Sequence, residues 1–329
     1  MNSPVPAADL IVVGSGPAGL ACAIEARKSG LTVRVLDKGS VVDAIRHFPP
    51  NMVWFSTPEL LEIGNIPFVI TLLRPTRVDT IKYYQRVVRH FDLDVRTFDA
   101  VVQLQRTAGG FRVVTEKGVV HEARFVVIAT GYFGNPNHLN VRGEDLPHVR
   151  HFYGEPYAHF GRDVVIVGGR NSAAEAALEL YRNGARVTLV HRGEKLSEGV
   201  KYWILPDIEN RIRAGEIAAR FSSVVEEIRG DGVVVRGAVG KTVIPADAVF
   251  VLIGFHPDPE FLTALGINVA PDTLVPVHTA ETLETNVPGL FVAGSVVAGK
   301  NNNMIFVENG RLHGRVIVDA ILRRMVANC

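Results

Sequence analysis

A single pattern dominates this chain, and it occurs twice. Leu10-Ile11-Val12-Val13 is an apolar strand sequence, and Gly14-Ser15-Gly16-Pro17-Ala18-Gly19 is a glycine turn. Leu20 to Lys28 reads as a helix. Gly30 precedes a second strand, Leu31 to Leu36, which Asp37 closes. Gly14 permits the tight turn after the strand. Gly16 has no Cβ, so a pyrophosphate can approach the backbone. Gly19 lets the helix lie against the strand. The free N–H groups at the helix start favour a phosphate, and Asp37 falls where an acid can bind the ribose hydroxyls of an adenosine. Strand, turn, helix, strand and acid in this order predict a dinucleotide site.

The second copy starts at Val164-Val165-Ile166-Val167-Gly168, offset by 154 residues from the first and with no gap between, so that Gly30 maps onto Gly184 and Asp37 onto His191. Two nucleotide domains are therefore expected, not one. The copies differ where chemistry would differ. The second turn reads Gly168-Gly169-Arg170-Asn171-Ser172-Ala173, with a cation where the first has bare Gly16. Ala173 in place of Gly19 still allows close helix packing. His191 replaces the acid and is followed by Arg192, with Lys195 nearby. An acid there would repel a 2′-phosphate, whereas an arginine can pair with it through two hydrogen bonds. The second site is expected to favour NADPH over NADH.

Between the copies, Met52-Val53-Trp54-Phe55-Ser56 is an aromatic loop expected either near the first ligand or over the core. Thr80 to Phe91 has apolar residues at helical spacing (Ile81, Tyr84, Val87, Val88, Phe91). Short strands follow from residue 93, and Phe125 to Ile128 runs into Ala129-Thr130-Gly131, where the backbone can approach a dinucleotide closely. Gly134-Asn135-Pro136-Asn137 reads as a crossing between domains, and Ile253-Gly254-Phe255-His256-Pro257 as the return. Near the end, Gly289 to Ser295 gives a strand and turn. Asn301-Asn302-Asn303 is expected to cap a helix running to about Met325, whose start would favour an anion.

These features resemble the two-dinucleotide flavoproteins of low-molecular-weight thioredoxin reductase size, over essentially the whole chain. The closest resemblance is to the bacillithiol disulfide reductase family. It is carried by Gly131-Tyr132-Phe133-Gly134, Gly168 to Ala173, Trp203-Ile204-Leu205-Pro206, Ile253 to Asp258 and Ile305-Phe306-Val307-Glu308-Asn309-Gly310. The resemblance implies an α/β fold with two Rossmann-like dinucleotide-binding domains. An FAD domain is split between residues 1–135 and 255–329, and an NADPH domain, 136–254, is inserted in it. It implies FAD contacts from Gly14, Ser15, Gly16, Pro17, Ala18, Gly19, Asp37, Lys38, Gly39, Ser56, Val102, Ala129, Thr130, Gly131, Gly294, Ser295 and Ile305. NADPH contacts would come from Gly168 to Ala173, His191, Arg192, Lys195 and Gly254. Hydride would pass from NADPH to FAD and on to an external small-molecule or small-protein acceptor, in a homodimer or higher homo-oligomer. The helix start near Asn303 to Ile305 would stabilise the reduced flavin.

Three departures from the resemblance matter. Thioredoxin reductases carry Cys-x-x-Cys in the NADPH domain, but the only cysteines here are Cys22 and Cys329. Members of the bacillithiol disulfide reductase family can carry a cysteine in the first glycine motif, at the position of Ala18. The superfamily's acid after the last Ala-Gly is Ser295. Cys22 lies one helical turn beyond Ala18 and is expected to be buried; Cys329 is the last residue. His256 and His47 are candidate proton donors, because imidazole titrates near working pH.

Composition removes other classes. The net charge is +1 over 329 residues, which gives no case for nucleic acid or an anionic membrane. No apolar run approaches a membrane span, and nothing at the start reads as a signal peptide. Two cysteines make a disulfide framework implausible and a cytoplasmic location the default. No metal site is expected. Other functions remain open: a thioredoxin-reductase-like ferredoxin–NADP reductase, a flavin monooxygenase, or a non-catalytic flavin-holding redox sensor.

Overall fold

The computed structural model describes residues 7–301 and 303–327. Its chain forms two compact units: residues 7–46, Asn51–Asn135 and 255–327 in one, His47–Pro50 and Pro136–Gly254 in the other. The first holds a seven-stranded sheet. Its parallel part runs Asp94–Arg96, Val33–Leu36, Ala8–Val13, Val120–Ile128, and Gly110–Thr115 and Val101–Thr107 extend it antiparallel. Leu290–Val292 pairs parallel to the end of Val120–Ile128. The second unit has a five-stranded parallel sheet in the order Ala218–Arg220, Arg186–Val190, Asp163–Val167, Ala248–Val251, Val149–Arg150, and a separate antiparallel sheet of Val224–Arg229, Gly232–Gly237 and Gly240–Pro245.

The sequence repeat is a structural repeat down to the register. Leu10 faces Val33 and Phe125; Val164, 154 positions on, faces Val187 and Ala248. Gly14 N donates to Leu36 O at 2.8 Å, and Gly168 N to Val190 O at 3.0 Å. The strands carrying both turns are apolar on both faces because helices or strands cover each side, as parallel sheets require. Ile11, Val13, Val126 and Ile128 lie in one core of the first unit, while Val164 and Ile166 on one face and Val165 and Val167 on the other lie in two cores of the second.

The helices depart from expectation in two places. The amphipathic helix spans Arg77–His90 and buries Thr80, Tyr83, Tyr84 and Val87. Tyr83, not Ile81, turns inward because its hydroxyl bonds to the backbone of Ile63 and Ile66. At the chain's end no helix starts at Asn303. A one-turn helix, Val307–Gly310, comes first, and His313–Ala327 follows. Asn309, not the asparagine run, closes the start: its Oδ1 accepts from Phe306 N and its Nδ2 donates to Met304 O, each at 2.8 Å. The expected long helix start at Asn303 to Ile305 is thus replaced by a loop and a single turn. Asn302 and Cys329 lie outside the described residues.

Candidate functional site

The first unit gathers most of its predicted site residues at the carboxyl ends of its parallel strands, where α/β sheets bind ligands. Gly14 has φ +109°, and a Cβ there would lie 2.4 Å from Ala129 O. A Cβ on Gly19 would lie 2.0 Å from Gly14 O. Those two glycines fit the turn to its neighbours. Gly16 differs, since a Cβ there would meet nothing within 4 Å. It precedes the helix Pro17–Lys28, whose start no side chain caps. The space above Gly16 and the free N–H groups behind it suit a pyrophosphate.

Asp37 is locked onto this turn. Its Oδ2 accepts from Ser15 N at 2.5 Å and from Ser15 Oγ at 2.7 Å, and its Oδ1 accepts from Gly39 N at 2.8 Å. A carboxylate has about four acceptor positions, so Oδ1 keeps one for a ribose hydroxyl. Lys38 arches over Gly134, with Nζ 3.2 Å from where a Gly134 Cβ would stand.

Close approaches join Gly131, Ser295, Gly294, Ala18, Gly310 and Ile305. Ser295 Oγ lies 3.4 Å from the Cβ position of Gly131. A Cβ on Gly294 would meet the Ala18 Cβ at 2.7 Å, and one on Gly310 would meet Gly294 Cα at 3.3 Å and Ile305 Cγ2 at 3.2 Å. Ala18, Gly294, Gly310 and Ile305 are therefore brought together. Two residues in this group were not singled out as site residues from sequence. Gly310 was visible only inside the phrase ending Glu308-Asn309-Gly310. His313, whose Nδ1 accepts the Gly294 N–H at 3.1 Å, gave no signal at all. Burial, and His278 beside it, push the His313 pKa down, which keeps the accepting lone pair free of a proton.

Ser56 is buried and donates its hydroxyl to the Glu308 carboxylate. Val102 points to solvent at the bulged start of its strand, 54% exposed. His256 has Nδ1 2.7 Å from Pro257 O. A carbonyl only accepts, so Nδ1 is the donor in this contact and Nε2 is left for another partner. His47 is exposed and belongs to the second unit.

In the second unit Gly168 has φ +150°, and its Cβ position lies 2.5 Å from Leu252 O, matching Gly14 over Ala129. Here the resemblance between the turns ends. The His191 ring lies on Gly169, with ring atoms 2.4–2.5 Å from the Cβ position. Burial, then the Arg192 charge, push the His191 pKa down. Asn171 spends its side chain on structure, accepting from Lys201 N at 2.8 Å and donating to Gly199 O at 3.0 Å. Ser172 is exposed on the first turn of the helix Asn171–Arg182, which has no side-chain cap and no acid there. Arg170 and Arg192 are exposed and, among the described residues, have no ion-pair partner. Lys195 pairs with Glu198 at 2.7 Å. Two unpaired guanidinium groups and an uncapped helix start fit a phosphorylated nucleotide. Gly254, with φ +99°, ends the neighbouring strand exit.

Cys22 is wholly buried in the helix Pro17–Lys28, and burial pushes its thiol up to about 12. The sequence holds no Cys-x-x-Cys motif.

Two Rossmann-like units in one chain define a two-dinucleotide oxidoreductase. A family model described as pyridine nucleotide-disulphide oxidoreductase matches residues 11–294, and the chain belongs to this family. It is 40% identical to bacilliredoxin reductase Bdr of Bacillus subtilis, over 95% of this chain and 97% of that protein. Bacillithiol disulfide reductase Bdr (YpdA) from Staphylococcus aureus has the same fold, with a TM-score of 0.94 at 39% identity, covering 97% of this chain and 99% of that one. A ferredoxin–NADP reductase from Ignicoccus hospitalis is 28% identical over 93% of this chain and 95% of its own length. The chain is an FAD- and NADPH-dependent oxidoreductase of this family. Among the described residues, no helix is long and apolar enough to cross a membrane.

Proposed function

We propose that this enzyme uses NADPH to reduce a small disulfide of the bacillithiol type, with no thiol of its own in the path. The observation that carries the reading is the 40% identity to a bacilliredoxin reductase along almost the whole chain. FAD is assigned to residues 1–135 and 255–329, which make up the first unit apart from His47–Pro50, and NADPH to 136–254 in the second. Gly14 and Gly19 shape the first turn, Gly16 leaves room for the pyrophosphate, and Asp37 offers Oδ1 to a ribose hydroxyl. Gly131, Gly294, Ser295 and Ile305 would form the opposite wall. In the second unit Arg192 pairs with the 2′-phosphate and Arg170 stands at the helix start. When bound, FAD supplies the hydride chemistry linking NADPH to the acceptor. The protein's part is position, charge and protons. His256 Nε2 is the atom that would give or take a proton, because Nδ1 is held on Pro257 O; exposed His47 is the second candidate. Cys22 is too deeply buried to act as a nucleophile. A cytoplasmic homodimer is part of the same proposal.

A second reading, transfer to ferredoxin, is favoured by the 28% identity to a ferredoxin–NADP reductase and by the missing dithiol. An anaerobic acceptor panel with NADPH separates the two. Turnover on bacillithiol disulfide above that on ferredoxin and quinones is expected. Turnover on ferredoxin alone would replace the first reading with the second. Reduction of the flavin with turnover on no acceptor would make the protein a flavin-holding sensor.

A further inference from the structure

Away from both turns, on the loop that enters the second unit, two histidines converge on one buried carboxylate. His138 Nδ1 lies 3.5 Å from Glu144 Oε1, and His151 Nε2 lies 3.7 Å from the same oxygen. The three donor atoms are within 4.8 Å of one another, and the two rings are 4.5 Å apart. We propose that His138, Glu144 and His151 form a binding site for a divalent cation of the Zn2+ type.

The distances carry the proposal. A hydrogen bond from an imidazole to a carboxylate would draw nitrogen and oxygen to about 2.7–2.9 Å. Both separations here are too long for that. A tetrahedral ion at roughly 2.0–2.2 Å from each donor holds its ligand atoms about 3.4 Å apart. The two observed spacings are close to that edge. The third, between the histidines, can close by rotation of His138, whose side chain is 48% exposed.

The carboxylate is already oriented for the role. Glu144 is 7% exposed; its Oε1 accepts from Leu139 N at 2.8 Å and its Oε2 from Asn140 N at 2.7 Å. Each oxygen keeps one lone pair. Hydrogen bonds of this kind fix a ligating carboxylate in place. Two imidazoles and one carboxylate match the borderline softness of Zn2+, and the exposed side of His138 leaves a position for water.

The ion would fasten a loop at both ends. Asn137, next to His138, bonds to the backbone of Gly254 and Ile253. His151 follows the strand Val149–Arg150, which pairs with Ala248–Val251. The site would stiffen the loop from 138 to 151, and its three ligands are not among the proposed cofactor contacts.

The test uses untagged, flavin-loaded protein, stripped with chelator and titrated with Zn2+ alone by calorimetry. Co2+ serves as a second probe through its visible spectrum. One equivalent per chain is expected, with a higher thermal midpoint in the metal-bound protein. His138→Ala and His151→Ala should each weaken binding by at least about tenfold, with flavin content and circular dichroism unchanged. His138→Ala is the safer variant, since that side chain is half exposed. The absence of stoichiometric binding would overturn the proposal, as would full-strength binding in His138→Ala.

Discussion

At the end of its second strand the first unit places Asp37, whose carboxylate takes the N–H and hydroxyl of Ser15. At the matching place the second unit places His191, whose ring lies on Gly169. The backbone beneath is the same in both, from the strand register to the close approach of the first glycine to the neighbouring strand's carbonyl. Residue 15 with 37, and residue 169 with 191, behave as matched pairs. A small hydrogen-bonding side chain goes with the acid, and a bare glycine with the ring. The comparison teaches that a nucleotide unit keeps its fold in the glycines that touch backbone. The two units differ in the residue closing over the turn and in the charges beside it, where the proposed choice of ligand lies.

The largest expected effect separates the two kinds of glycine in the first turn. Gly14→Ala puts a Cβ 2.4 Å from a backbone oxygen at φ +109°. Strained backbone alone costs about 1–3 kcal/mol, and the clash adds to it, so both thermal stability and flavin content should fall. Gly16→Val meets open space. It should fold with a near-normal melting midpoint and yet bind little FAD. Full flavin occupancy in Gly16→Val would show that the pyrophosphate does not lie there.

The next effect belongs to the second turn. Arg192→Ala would remove the proposed charge-assisted pair with the 2′-phosphate, worth roughly 1.5–3 kcal/mol, or about 10- to 150-fold in NADPH affinity. Affinity for NADH, which lacks the 2′-phosphate, should barely change. Equal flavin reduction by both nucleotides in the wild type would remove the proposed distinction between the units.

The smallest effect concerns Cys22, packed behind the first turn. Its thiol titrates at about 12 in the fold against 9.0 as the ordinary value. The native state therefore keeps a proton that the unfolded chain releases, and stability is full below 9.0 and declines as pH rises toward 12. The slope is up to about 1.4 kcal/mol per pH unit. Urea midpoints of wild type and Cys22→Ala, compared at about pH 8 and about pH 10, should draw together by that amount. A constant difference between the two proteins would mean the thiol is not buried as described.

Much of this was legible in the sequence. The glycine turns were readable because only glycine tolerates those backbone angles and approaches. The strand register followed because the repeat has no gap. The start of the last helix was not legible, although its end near Met325 was. Asn301 to Asn303 looked like a cap, but the Asn309 side chain closes the turn and the helix starts at Val307. The inward turn of Tyr83 depends on carbonyls of Ile63 and Ile66, partners no periodicity reveals. The seat of His191 on Gly169, and the Gly294 N–H on His313, join residues distant in sequence and leave no local pattern.

The central claim is that electrons reach the acceptor without a thiol of this chain. The most direct measurement is NADPH oxidation by the Cys22→Ser, Cys329→Ser double variant with bacillithiol disulfide as acceptor, beside stopped-flow reduction of its flavin. The account predicts turnover near that of the wild type. Loss of the acceptor step, with flavin reduction by NADPH intact, would contradict it and place a cysteine in the path.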